Sequence, residues 1–173
     1  MTAIDNTPQN KNFLSPLNFR FQIKKAPMVN FFIQQVNIPD ITLSSPEPTN
    51  PFVNTPIPGE HLNYGALEVS FAVDEDLTNY LEIYNWLVAL GKPENFQQYA
   101  DIQNKPSYTG DGIYSDITVL VMSSVKQPNF DITYTDAFPV SLSSLVFNTI
   151  DENVNYITAS ATFKYTYYNI TKI

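Results

Sequence analysis

Short strand-like segments constrain the fold of this sequence more than any other feature. In most of them apolar and polar residues alternate, which is typical of strands that bury one face, because successive side chains point to opposite sides of a sheet. Such segments cover residues 18–24, 30–38, 67–73, 115–123, 130–135 and 155–168, with a further short candidate at 143–148. The pattern therefore predicts six or seven strands.

Only one segment has the periodicity of an α-helix. Between residues 77 and 91 apolar side chains recur every three or four positions, and Gly91 followed by Pro93 is a typical stop signal. The acids at 74–76 lie where a helix N-terminus favours negative charge. The side chains predicted to pack this helix on the core are Leu77, Leu81, Tyr84, Trp86 and Val88. The expected fold is mainly β, an antiparallel β-sandwich or open β-barrel with one mid-chain α-helix.

The chain of 173 residues is predicted to be one domain, over 17–173, preceded by a polar N-terminal arm over 1–16. Within the domain, residues 39–58 hold six of the 13 prolines. Because proline removes backbone donors from a strand ladder, this segment is expected to be an extended loop or a loose hairpin. The strand that leads into it is apolar at 31–33, which predicts burial on both of its faces.

The charge of the chain is strongly acidic and unevenly distributed. Nine Lys and Arg against 17 Asp and Glu give a formal net charge of −8. Residues 26–91 contain eight acids and no Lys or Arg. This balance argues against nucleic-acid binding as the main function, since phosphate contacts need a basic face. It leaves open a merely solvated acidic face and a surface that repels polyanions or meets a basic partner.

The residues that usually carry catalysis or bind metals are scarce. The sequence has no Cys, which excludes disulfides, thiolate metal sites and a Cys nucleophile, and His61 has no nucleophile motif around it. The acids at 74–76 favour helix capping over a calcium site. We therefore predict no enzyme activity, no cofactor, no metal and no membrane partner. The Tyr and Trp content leaves open a carbohydrate-binding β-sandwich as an alternative.

The order of the elements resembles the tail tube proteins of contractile-tailed, T-even-type bacteriophages. The most specific part is the segment 67–71, joined through acids to the helix that bears Trp86. The other matching parts are 18–24, 31–39, 116–119, 138–142 and 158–168, and the likeness extends over roughly 15–169.

The resemblance implies a structural virion protein that forms hexameric rings, and these rings stack into the inner tail tube, a conduit for DNA ejection. A tube-like baseplate or neck protein that caps one end of the tube is the alternative within the same family. The implied partners are further copies of the chain, the tail sheath protein, and baseplate and neck proteins. Genomic DNA would pass without specific binding, and assembly would take place in the host cytoplasm.

The resemblance also implies two sets of site residues. In this family a long loop reaches the adjacent ring, which here corresponds to Thr42, Glu47, Phe52, Val53 and Asn54. A sheet of each subunit faces the lumen, for which the candidate side chains are Glu68, Asp116 and Asp131. An acidic lumen would repel DNA phosphates within a Debye length of about 8 to 10 Å.

Overall fold

The structure, a computed structural model, describes residues 12–49, 52–53, 56–91, 96–97, 100, 112–149 and 156–173. Within these ranges the chain forms nine strands, an α-helix of 14 residues and a short 3-10 helix, and residues 96, 97 and 100 are also helical. The strands are β1 Phe19–Ile23, β2 Ile33–Val36, β3 Ile41–Leu43, β4 Leu62–Tyr64, β5 Leu67–Ala72, β6 Ser115–Met122, β7 Pro128–Leu142, β8 Thr158–Lys164 and β9 Tyr167–Lys172. The helix α1 is Thr78–Gly91, and the 3-10 helix is Val29–Phe31. The predicted mainly antiparallel β fold with one mid-chain helix is confirmed.

The strand β7 belongs to two sheets at once. Its first half pairs with β6 and β9, and its second half pairs with β8. The first sheet therefore has the order β1-β6-β7-β9, and the second sheet has the order β7-β8-β5-β2, with every pair antiparallel. The two meet near Asp136, whose φ of 57° is left-handed, a conformation that Asp tolerates better than most residues.

The core lies between the sheets and the helix. Alternate residues of the strands face inward, as the sequence pattern predicts, and a β-strand allows this because its side-chain period is two. The fully buried large side chains are Ile23, Val29, Leu67, Val69, Phe71, Asn79, Ile83, Ile117, Val119, Ile132, Tyr134 and Phe163. Small residues at Ala159 and Ala161 of β8 complete this inner surface.

A reciprocal set of hydrogen bonds holds the start of α1. The backbone N–H of Asn79 donates to the Asp74 carboxylate (3.3 Å), and the backbone N–H of Asp74 donates to Asn79 Oδ1 (3.4 Å). Asn79 Nδ2 also donates to the carbonyl of Ala72 at the end of β5 (2.8 Å). Asp74 therefore has the N-terminal role expected of the acids, whereas Glu75 and Asp76 are exposed, and no acid lies within the first turn of the helix.

The face of α1 that packs on the core differs from the predicted face at two positions. Trp86 is buried (3% exposed), but Leu81 and Tyr84 are 44% and 49% exposed, so the prediction that those two pack on the core was wrong. The buried face consists of Asn79, Ile83, Trp86 and Ala89. The helix is apolar on two sides, and periodicity alone does not decide which side is buried.

Trp86 selects the buried side of the helix. Its ring lies 6.2 Å from the Phe163 ring, and its Nε1 donates to the carbonyl of Ile113 (3.0 Å). The buried Lys25 ammonium donates to the neighbouring carbonyl of Gly112 and lies 5.5 Å from the centre of the Trp86 ring. A buried indole usually needs a hydrogen-bond acceptor, and the carbonyl of Ile113 supplies one in this orientation.

Leu77 and Val88, the other two side chains predicted to pack on the core, are not fully buried. Leu77 precedes α1 with a φ of 56° and is only partly buried, and Val88 is also partly exposed. Neither belongs to the fully buried core of the described residues.

Three strand predictions differ from the structure. Residues 30–38 are divided between the 3-10 helix and β2, and Phe31 is 82% exposed rather than buried on a second face. Residues 136–142, between two of the predicted strands, continue β7 without a break, and 143–148 contains no strand. The final segment divides into β8 and β9. In each case long-range backbone pairing, which the local sequence does not contain, decides the outcome.

Replacing Trp86 with Ala should lower the free energy of unfolding by about 3 to 5 kcal/mol, because it leaves a cavity and removes a buried hydrogen bond. The matched control is Tyr84→Ala on the exposed side of the same helix, which should cost less than about 1 kcal/mol. Denaturant unfolding of both variants measures the difference. Equal losses would contradict the assignment of the buried face.

Candidate functional site

The first sheet has an open strand at each side. Among the described residues, β1 pairs only with β6, and β9 pairs only with β7. An open strand exposes a row of backbone N–H and C=O groups that can pair with another chain. These two edges are the most prominent candidate interaction site on the molecule.

On β1 the unpaired backbone groups can be assigned to particular residues. The N–H of Ile23 donates to Asn30 Oδ1 (2.8 Å), and the C=O of Ile23 accepts from Asn30 Nδ2 (3.3 Å), so this residue points its backbone away from β6. Because backbone direction alternates along a strand, Phe19 and Phe21 point their N–H and C=O groups the same way. Asn30 therefore closes one end of this edge and leaves the rest open.

On β9 the open groups belong to the even-numbered residues. The N–H of Ile173 donates to the carbonyl of Asn129 beside β7 (3.0 Å), so odd-numbered residues face β7. Tyr168, Ile170 and Lys172 consequently point their backbone groups outward. Ile170 also has an exposed side chain.

A groove of about 870 Å³ extends from residues 30–34, beside the open edge of β1, over the outward face of the first sheet as far as Asp131 of β7. Its lining is partly aromatic and partly polar, and it includes Phe19, Arg20, Phe31, Gln34 and Asp131. Phe31 is largely exposed in the single chain. A concave, partly apolar surface beside unpaired backbone groups favours the addition of an extended strand from another molecule.

The outward face of the first sheet is polar. One cross-strand row consists of Arg20, Leu120, Asp131 and Thr171, and the next consists of Gln22, Thr118, Thr133 and Asn169. Two of the three predicted lumen-facing acids, Asp116 and Asp131, lie on the strands of this sheet. Glu68 lies on β5 of the second sheet, opposite Thr162 of β8, so the structure does not bring it together with the other two.

The strands β3 and β4 form a small separate hairpin with the register Ile41 to Tyr64 and Leu43 to Leu62. All of its residues except Tyr64 are exposed on both faces. An isolated two-stranded hairpin is marginally stable in water, so such a piece favours contact with a neighbour. The Pro-rich segment 39–58 contributes β3 to this hairpin, and β4 lies beyond the segment.

The predicted inter-ring residues lie on or near this hairpin. Thr42 is in β3, and Glu47, Phe52 and Val53 are exposed in the segment beyond it. Asn54 lies outside the described residues. Beyond β3 the chain returns on itself through backbone bonds, with the N–H of Ile57 donating to the carbonyl of Pro46 (3.2 Å).

A cluster of four tyrosines joins the hairpin to the first sheet. The rings of Tyr134 and Tyr165 are 4.9 Å apart, and those of Tyr64 and Tyr168 are 5.6 Å apart. The hydroxyl of Tyr168 donates to the carbonyl of Pro39 at the base of the hairpin (3.1 Å). The sequence alone does not predict this cluster, and only the concentration of Tyr at 165–168 points toward it.

Burial raises the pKa of two of these phenol groups. Desolvation, followed by the charges of Tyr168, Tyr64 and Asp40, raises the pKa of Tyr165 to about 12. Desolvation, followed by the charges of Tyr165 and Tyr168, raises the pKa of Tyr134 still further above its ordinary value. Both hydroxyls are buried without a hydrogen-bond partner among the described residues. The cluster therefore favours the neutral phenols and opposes their ionisation.

Within the described ranges, no α-helix is both long and apolar enough to cross a bilayer. The same residues contain no group of three or more His, Cys, Asp or Glu side chains placed to hold a metal ion.

Solved structures with the same fold are parts of contractile particles. The tube-terminating cap of the anti-feeding prophage matches at 14% identity over 100% of both chains, with a TM-score of 0.64. A chain of the sheath–tube complex of the PVC extracellular contractile injection system, in its extended state, matches at 15% identity over 94% of both chains, with a TM-score of 0.60. The PVC sheath/tube terminator matches at 16% identity over 94% of this chain and 99% of that one, with a TM-score of 0.60.

No protein-family model matches the chain, and no curated protein matches it in sequence. At sequence identities of 14 to 16%, the structural similarity shows that the fold is shared and no more than that. The resemblance to tail tube proteins is therefore confirmed at that level: the chain has a tail-tube-like fold.

Raising the pH should destabilise the protein through Tyr165. Its pKa is about 12 in the folded state and about 10 when unfolded, so its contribution to stability is complete below pH 10 and is lost as pH rises toward 12. The variant Tyr165→Phe cannot ionise and should lose less stability over this interval. Denaturant unfolding at pH 9, 10.5 and 11.5 measures how the free energy of unfolding changes with pH in the wild type and in the variant. Identical pH dependences would contradict the role assigned to Tyr165.

Proposed function

We propose that this chain is a structural protein that forms closed rings, in which the β9 edge of one copy pairs with the β1 edge of the next. The observation that carries the proposal is the presence of two open edges on one four-stranded antiparallel sheet. Because every strand runs opposite to its neighbour, β1 and β9 run in opposite directions. A head-to-tail contact between identical copies therefore continues the antiparallel pattern across the seam.

A head-to-tail contact either closes into a ring or continues as an open helix. Closure removes the open edges, which are otherwise sites of aggregation. We assign six copies to the ring on the resemblance to tail tube proteins. The outward face of the first sheet, with Asp116 and Asp131, is assigned to the channel wall, because the opposite face is occupied by the core.

The hairpin β3–β4 supplies the contact between stacked rings. Its exposed residues on both faces, including Thr42, and the exposed apolar side chains of Phe52 and Val53 beyond it favour burial against another copy. Glu47 and Asn54 belong to the same proposed contact. The tyrosine cluster fixes the base of the hairpin, so the contact is made from an anchored position.

Two positions within a contractile particle fit this fold, the body of the tube and its terminating cap. The solved neighbours include a chain of a sheath–tube complex as well as a cap and a terminator, so a role beside a sheath is part of the proposal. Copy number separates the two positions, because only the tube body requires many stacked rings. Passage of genomic DNA, contacts with baseplate and neck proteins, and assembly in a host cytoplasm remain predictions from the resemblance.

The carbohydrate-binding alternative receives no support from Trp86. Its indole is buried against Phe163 and Ile113 and offers no exposed stacking surface. Saturable binding on a glycan array would favour that alternative over the ring.

The variant Ile170→Pro should prevent ring formation and leave the subunit folded. Proline removes the N–H of residue 170, which points away from β7 and is not needed within the chain. The control Ile170→Val keeps this donor and should assemble normally. Negative-stain microscopy and light scattering after size-exclusion chromatography measure assembly, and circular dichroism checks the fold. Normal rings from the proline variant would contradict the proposed seam.

Deletion of residues 46–56 should leave the subunit folded and block the stacking of rings. The deleted segment lies beyond β3, and its described residues, 46–49, 52–53 and 56, contribute nothing to the buried core. Single rings without long tubes are the expected image in the electron microscope. Tubes of normal length would show that the hairpin does not make the contact between rings.

A further inference from the structure

Two carboxylates on the proposed channel wall, those of Asp116 and Asp131, each have one oxygen that is buried without a hydrogen-bond partner among the described residues. The Oδ1 atom of Asp131 has almost no contact with solvent and no hydrogen-bond partner among the described residues. Asp131 as a whole is only half-buried, so its unpaired oxygen costs a missing hydrogen bond rather than the burial of a full charge, and a cationic donor would supply that bond. The unsatisfied atom lies on β7, one strand from the open edge of β9.

A cation is available on the same cross-strand row, at the other open edge. Arg20 is exposed on β1 and lies in the row that continues through Leu120, Asp131 and Thr171. Within one chain Arg20 and Asp131 line the same groove, but β6 separates their strands and Leu120 lies between them in the cross-strand row. On the far side of Asp131 only the short side chain of Thr171 separates the carboxylate from the edge.

The directions of the free backbone groups permit the required register at the seam. On β1 the odd-numbered residues Phe19 and Phe21 face outward, and on β9 the even-numbered residues do. If Ile170 pairs with Phe21 of the next copy, the outward backbone N–H and C=O groups of β9 and β1 can form hydrogen bonds with each other. That register sets Arg20 of the next copy directly opposite Thr171, with both side chains on the outward face.

We propose that Arg20 of one copy reaches across Thr171 of the adjacent copy and pairs with Asp131, and that this ion pair fixes the register of the seam. The inference rests on the proposed ring. A long side chain can reach a diagonal or next-nearest position on a sheet face, and Arg binds a carboxylate through two parallel hydrogen bonds. The site is complete only when the second copy is present.

Reciprocal charge reversal tests the pair. Arg20→Asp and Asp131→Arg should each raise the protein concentration needed for half-assembly by roughly tenfold or more, because like charges then meet at every seam. A 1:1 mixture of the two variants should restore rings, since in an alternating ring each seam brings an acid opposite a base. An even number of copies allows this alternation to close.

Two controls isolate the seam. Lys126→Asp reverses an exposed cation in the turn between β6 and β7 and should leave assembly unchanged. A mixture of Arg20→Asp with Asp116→Arg, which changes another acid on the first sheet, should not restore rings. Circular dichroism and the melting temperature of each variant establish that the subunit is folded.

If Asp131→Arg does not fold, the milder changes Arg20→Gln and Asp131→Asn measure the same coupling. The double variant should then assemble no worse than either single variant, whereas additive losses would overturn the pair. Single reversals that assemble like the wild type would overturn it as well. If the mixture of the two reversed variants does not restore rings, any coupling between Arg20 and Asp131 acts within one chain. That result would also overturn the proposed ion pair between copies. A wild-type protein that forms no rings would instead refute the proposed function itself.

Discussion

The architecture depends on the hydrogen bonding of β7, which connects the two sheets through 15 residues without a break. Its first half forms the centre of the sheet that has two open edges, and its second half holds β8 and, through it, β5 and β2. The bend near Asp136 changes the direction of the strand without ending it. The sheet proposed to join neighbouring copies is therefore part of the same hydrogen-bonded layer that closes over the core.

The remaining features divide into those that stabilise the subunit and those that face outward. Trp86, Lys25 and the backbone at Gly112 and Ile113 attach the helix to the start of β6. The four-tyrosine cluster attaches the small hairpin to the first sheet. Both anchors are buried polar or aromatic contacts, whereas the surfaces assigned to assembly carry exposed apolar side chains and unpaired backbone groups. This division fits a subunit that folds before it assembles.

The sequence predicted the strands wherever apolar and polar residues alternate, because this pattern depends only on which face is buried. It also predicted the existence of α1 and the burial of Trp86. It did not predict which apolar side of the helix is buried, since Leu81 and Tyr84 have the same spacing as core residues and the contacts of Trp86 with Phe163 and Ile113 come from distant parts of the chain. It did not predict that β7 continues past Asp136, because pairing with β6, β8 and β9 compensates for a residue typical of turns. Of the candidate lumen acids, Asp116 and Asp131 share one sheet and Glu68 does not, a distinction that requires the strand order.

Asn30 has a kinetic consequence in a ring of such copies. Its side chain already forms hydrogen bonds with the backbone N–H and C=O of Ile23. An incoming strand therefore finds unpaired backbone groups only around Phe19 and Phe21. Each junction is consequently short, and a linear oligomer with free ends gains little from every added copy. Closure adds one further junction without the cost of recruiting another molecule. Partial arcs should therefore remain rare, and subunits and complete circles should dominate the population at equilibrium.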